Sequence, residues 1–186
     1  MQDLTKSQTI GEYKEVIKAC KELFEKKTRD YGTSWRILRL PSITDQIYIK
    51  AQRLRSIQDK GMQLVDDDPK LEFIGIINYS VMAIIQIQLL NDQRMEIPFE
   101  ELGPLYDAVV DENISLLSKK NHDYGEAWRE MRVSSITDII LMKLLRVKQI
   151  ENNKGKTIVS EGIKANYQDM INYAVFSLIL DKSSKL

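Results

Sequence analysis

Lys143 and Arg146 stand three residues apart, and Glu161, Asp169, Asn172 and Tyr173 follow further along the chain. Spacings of three and four put side chains on one face of a helix, so two cations on one helix can face an acid, an amide and a phenol on the next. Ammonium and guanidinium groups hold phosphate oxygens, which makes Lys143, Arg146 and Lys120 candidates for phosphate binding. Carboxylates hold a divalent metal, which makes Glu161 and Asp169 the candidate metal ligands. Asn172 and Tyr173 could orient a sugar or base, and Trp128 offers a ring for stacking. The bland counterpart of this constellation is a buried salt-bridge network with no ligand at all.

The same residues occur twice. RDYGTSW at 29–35 returns as HDYGEAW at 122–128. Aligning 27–57 with 120–150 makes about half of roughly thirty positions identical, which marks an internal duplication. Lys27, Asp30, Tyr31, Trp35, Lys50 and Arg53 pair with Lys120, Asp123, Tyr124, Trp128, Lys143 and Arg146. One added residue then brings Asn78 and Tyr79 over Asn172 and Tyr173. Asp123 and Tyr124 read either as part of a nucleoside site or as a tight turn, in which Asp accepts backbone N–H bonds and Gly reverses the chain.

The copies are not equal. Gly75 stands where the second copy has Asp169, and Leu71 where it has Ala165. Glu72 reads as lying on a different face from Gly75, so the first copy is the degenerate one and the second the candidate working site. The expected division is repeat 1 over 1–92 and repeat 2 over 93–186, joined into one compact unit.

These residues need helices to position them. Thr9 and Glu12 have the spacing of a capping box, ahead of Tyr13, Val16, Ile17, Cys20, Leu23 and Phe24 on one face. That helix should stop near Gly32. Ser42 with Asp45, and Ser135 with Asp138, can cap the second helices, and third helices are expected over about 70–91 and 161–181. Pro98 breaks the pattern in the join at 91–100. No alternating strand pattern appears, so the expected fold is all-α: about six main helices from two tandem three-helix repeats, packed as a pseudo-dimer.

Composition narrows the function. The 186 residues carry 27 Lys and Arg against 27 Asp and Glu, which gives no electrostatic reason to expect direct nucleic-acid binding. Cys20 is the one cysteine and His122 the one histidine, so neither a disulfide framework nor a zinc-ligand set is present. The greasy stretch at 81–90 is too short to span a bilayer, and the polar start lacks a secretory apolar core, so a soluble cytoplasmic protein is expected. A homo-oligomer is left open by the duplication.

KKNHDYGEAW at 119–128, Lys143 with Arg146, and EGIKANYQDMINYA at 161–174 resemble the nucleotide modification associated domain 1 family. Through it the chain is distantly similar to the all-α MazG-like nucleoside triphosphate pyrophosphatases, in which helix carboxylates hold magnesium. The resemblance implies a nucleotide-handling protein, with magnesium as the cofactor and a nucleoside phosphate as the partner. It extends to Lys120, Asp123, Tyr124, Gly125, Lys143, Arg146, Glu161, Asp169, Asn172 and Tyr173. Two of the family's acids are replaced, by Met142 and Ala165. The resemblance therefore leaves two readings: a magnesium-dependent pyrophosphohydrolase, or a noncatalytic module that has lost its metal acids.

Overall fold

The computed structural model describes residues 2–183 except 63, 65, 159 and 160. Side chains at 2–7, 121–124 and 183 fall outside that description, and with them the sequence candidates His122, Asp123 and Tyr124. The described residues form six long helices: α1 (Gln2–Tyr31), α2 (Leu40–Lys60), α3 (Lys70–Gln88), α4 (Phe99–Tyr124), α5 (Val133–Asn152) and α6 (Ile163–Ser183). Short 3-10 helices, Ser34–Ile37 and Ala127–Glu130, follow α1 and α4. No strand occurs among the described residues, and the all-α, twice-repeated architecture is as expected.

On α2, Ile43, Ile47, Ala51 and Leu54 recur at helical spacing and are buried. Ile136, Ile140, Leu144 and Val147 do the same on α5. α3 is apolar nearly all round, which is the pattern of a helix enclosed by neighbours. It is long and apolar enough to cross a membrane by composition, but more than half of it is buried against other helices of the bundle. α2, α3, α6 and α5 pack in a ring, each against the next, so that α3 meets α6 and α2 meets α5 across the two copies. α1 and α4 pack together against α3 and α6.

The first helices tie the copies together. Tyr13 on α1 donates its hydroxyl to Asn172 Oδ1 on α6 at 2.9 Å, and Tyr106 on α4 donates to Asn78 Oδ1 on α3 at 2.9 Å. Each copy thus sends a tyrosine to the asparagine of the other. Asn113 adds a second donor to Asn172, 2.9 Å away, and Asn78 donates to the Cys20 carbonyl at 3.0 Å. All four Tyr and Asn side chains are buried, so an unmade bond here would cost about 1–3 kcal/mol. Burial also pushes the Tyr13 and Tyr106 hydroxyls above their ordinary range and the Cys20 thiol up to about 12, which makes all three neutral packing groups.

Several local expectations are corrected. Thr9 does not cap α1: the helix passes through it, and its buried hydroxyl bonds Glu126 and Arg129 of the other copy. Tertiary contact has overridden a local capping pattern. α2 starts at Leu40 with Pro41 in its first turn, ahead of Ser42, and α5 starts at Val133, ahead of Ser135. Proline lacks the N–H that a first turn leaves unbonded, which suits the earlier start of α2.

The DYG turn closes α1 at Gly32, whose φ of +62° only glycine adopts without strain. Asp30 does not bond the turn. Glu96 from the join does so instead, its two carboxylate oxygens each 3.2 Å from the Thr33 N–H. The Thr33 hydroxyl bonds the Met95 carbonyl at 2.9 Å, and Arg36 reaches the Arg94 and Asp92 carbonyls at 3.2 and 2.5 Å. The join is therefore fastened to repeat 1.

Candidate functional site

In repeat 1 a groove runs between the end of the first helix, the 3-10 turn and the second and third helices. It opens as a cavity of about 710 Å³. Lys27 and Tyr31 from α1, Trp35 from the 3-10 helix, Lys50 from α2, and Asn78 and Tyr79 from α3 all line it. Six of the eight repeat 1 candidates thus converge. Neither Asp30, which is exposed, nor Arg53, which is engaged by acids, lines a described cavity.

The cationic end of this groove is shut. Arg53 bonds Glu72 Oε1 at 2.5 Å and both oxygens of Asp67, one at 2.8 Å. Lys50 bonds Glu72 Oε2 at 3.2 Å. The Arg53 hydrogen bond holds the Asp67 carboxyl below its usual range. Lys50 reaches Glu72 by running over Gly75, where an added Cβ would come within 2.6 Å of its Cδ and Cε. Glu72 and Gly75 therefore share a face, contrary to the expectation above, because a spacing of three on a helix places them there. The lost acid at position 75 has made room for a lysine, and Glu72 takes up its charge.

The aromatic end is open. Met82 lines the cavity beside Trp35, and Tyr31, Ile37 and Leu71 at 56%, 74% and 46% exposure form an apolar rim. Lys27 is exposed and makes no ion pair among the described residues, so its ammonium is free to meet an anion. Leu23, Phe24 and Met82 escaped the sequence reading because they look like ordinary core residues at helical spacing.

Repeat 2 reverses the arrangement. Phe176 stands where repeat 1 has Met82, and it stacks on Trp128 with centroids 4.2 Å apart and planes 7° apart. Tyr173 packs edge-on against Phe176 at 6.3 Å. The aromatic end is filled. Asp169 accepts Lys120 at 2.8 Å and Lys143 at 2.6 Å, one on each oxygen. Burial alone would raise its pKa, but the two lysines outweigh burial and hold the carboxyl below its usual range. Asn172 lies in the Tyr13–Asn113 network inside the core.

In repeat 2 an open cleft of about 760 Å³ lies instead between α5, the α5–α6 connection and the start of α6. Lys143, Arg146 and Glu161 line it together, with Gln149, Asn153 and Asn166 supplying amides. Asn166 occupies the place of Glu72, and Arg146 makes no ion pair among the described residues.

Among the described residues neither copy gathers a set of acids for a magnesium ion, since no three His, Cys, Asp or Glu side chains come together. Asp169 is neutralised by two lysines as Asp67 and Glu72 are by Arg53 and Lys50. A hard dication needs oxygen ligands whose charge is not already met.

A family model described as nucleotide modification associated domain 1 matches the chain twice, over residues 27–87 and 120–180. The chain belongs to that family. Each nucleotide modification associated domain 1 match begins in the last part of the first helix and ends in the third, so it takes in Lys27 or Lys120 and the DYG turn, and in repeat 1 most of the cavity lining. No curated protein and no solved structure matches the chain.

Proposed function

We propose that the protein binds a nucleoside phosphate, with the nucleoside seated in the repeat 1 cavity. The observation that carries this reading is the convergence of Tyr31, Trp35 and Tyr79 with Lys27 and Lys50 on one space of about 710 Å³. Pockets for small ligands commonly run to about 300–1,000 Å³, mostly apolar with a few placed polar groups. Aromatic faces suit a base, and the free Lys27 ammonium suits a phosphate oxygen. The family's name points in the same direction. Magnesium-dependent release of pyrophosphate, implied by the MazG-type resemblance, is the catalytic extension of this reading. The ion pairs on Asp67 and Glu72 in repeat 1 and on Asp169 in repeat 2 speak for binding without it.

Calorimetric titration of nucleosides and of nucleoside mono- and triphosphates tests the proposal. Tyr31 and Lys27 are exposed, so their replacement leaves the core intact. Tyr31→Ala should weaken all ligands by roughly tenfold, consistent with stacking of about 1–3 kcal/mol per base. Lys27→Ala should weaken the phosphorylated ligands more than the nucleosides. Absence of binding across the panel would end this reading. Monophosphate and pyrophosphate appearing by mass spectrometry when magnesium is added would establish the catalytic extension.

A further inference from the structure

Arg53 shows what this face of the second helix binds. Its guanidinium donates to carboxylate oxygens of both Asp67 and Glu72. Arg146 occupies the same position in repeat 2 and faces a different neighbour, because Asn166 replaces Glu72. Asn166 turns its amide N–H to the Gly162 carbonyl at 3.1 Å and offers Arg146 no charge. Arg146 is left exposed at the wall of the 760 Å³ cleft, with no ion pair among the described residues.

The charge around it is unbalanced. Lys156, also without an ion pair among the described residues, and Lys143 line the same cleft, and Glu161 is the one acid in its lining. Lys143 shares Asp169 with Lys120, so that trio keeps a net positive charge. We propose that this cleft is a second binding site, distinct from the nucleoside cavity, for phosphate-class anions such as pyrophosphate or a phosphomonoester. The carboxylate oxygens on Arg53 are the intramolecular stand-ins for the oxyanion that Arg146 takes from solution. A guanidinium presents paired N–H donors that match carboxylate and phosphate alike. Lys143 and Lys156 supply further charge, and Gln149 and Asn153 supply amide donors at the rim. Repeat 1 cannot do this, because Glu72 and Asp67 already occupy the position.

The inference stands independently of the nucleoside reading, and the experiment separates the two. Sodium pyrophosphate titrated calorimetrically into the full chain at low ionic strength, without metal, should bind the wild type. Arg146→Ala should weaken it by at least roughly tenfold, since hydrogen bonds between charged groups are the stronger kind. Arg146→Lys should keep part of the affinity. Asn166→Glu, which installs the acid of repeat 1, should abolish it. Added salt should weaken binding, as it screens an exposed charged site. Saturating nucleoside should leave the pyrophosphate isotherm unchanged. The proposal is overturned if pyrophosphate does not bind, if Arg146→Ala binds it as tightly as the wild type, or if nucleoside displaces it. Arg146 is exposed, so loss of fold does not obscure that variant. Failure of the nucleoside panel alone would leave the pyrophosphate result standing.

Discussion

Repeat 1 and repeat 2 carry equivalent residues on equivalent helices and leave different sets of them open. In repeat 1 Glu72 and Asp67 neutralise Arg53 and Lys50, while Met82 leaves space beside Trp35. In repeat 2 Phe176 fills that space by stacking on Trp128, while Asn166 leaves Arg146 free of any ion pair among the described residues. Three differences between the copies bear on this contrast: Met82 against Phe176, Glu72 against Asn166 and Gly75 against Asp169. Duplication lets one copy supply what the other gives up, because the shared core of α2, α3, α5 and α6 holds both sets whatever their partners. A single-copy protein would need one set to do both at once.

The sharpest way to break this comparison is to exchange the residues that set it. Met82→Phe should place a ring against Trp35 as Phe176 lies against Trp128, fill the aromatic end of repeat 1, and weaken nucleoside binding by more than roughly tenfold. A stacked pair adds about 0.5–1.5 kcal/mol beyond its area, so thermal stability should hold or rise. Calorimetry and a melting curve on the same sample check both halves. Unchanged nucleoside affinity would place the ligand outside the cavity.

Much of this was readable from the chain, and the reasons for the rest are physical. The repeat, the DYG turn and the pairing of Lys50 with Arg53 on one face follow from spacing alone, and the helices that carry them formed as expected. The fate of the charges did not follow. Whether Asp169 holds a metal or two lysines depends on how Lys120, at the end of α4, lies against α6, and no local pattern records that. Asn172 looked like a ligand group because it repeats as Asn78. The partner that explains both, Tyr13 for one and Tyr106 for the other, comes from the opposite copy and lies far away in sequence. The repetition of Tyr13 at Tyr106 was the available signal.

That crossed pair provides a second, smaller test of how equivalent the copies are. Asn172 Oδ1 accepts from both Tyr13 and Asn113, whereas Tyr106 is the donor bonded to Asn78 Oδ1. Tyr106→Phe should therefore strand a buried acceptor and cost about 1–3 kcal/mol, and Tyr13→Phe, whose partner keeps a donor, about 1 kcal/mol. Urea denaturation of both variants measures the gap. Equal costs would mean that water entering the repeat 1 cavity reaches Asn78 and replaces the lost bond.

The smallest expected effect lies between the copies, where α2 meets α5. Thr44 bonds Glu151 Oε1 at 2.7 Å and the Tyr167 hydroxyl at 2.7 Å. The equivalent Thr137 bonds Gln58 at 3.0 Å. The amide of Gln58 donates to its threonine, whereas the carboxylate of Glu151 accepts from its own. Burial raises the Glu151 carboxyl above its ordinary 4.5, with Asp45 adding to the rise, and the bond from Thr44 and the charge of Lys148 oppose it. An acid whose pKa is higher folded than unfolded binds its proton better in the native state, so it costs stability once pH exceeds the folded value and nothing below the unfolded one. Glu151→Gln should accordingly raise stability at neutral pH by less than about 1 kcal/mol, and the gain should vanish as pH falls below about 4.5. Melting temperatures of both proteins across that range measure the difference. A gain that persists at low pH would assign the benefit to packing against Tyr167, and a loss at neutral pH would show that the Glu151 charge is held by Lys148 more strongly than burial opposes it.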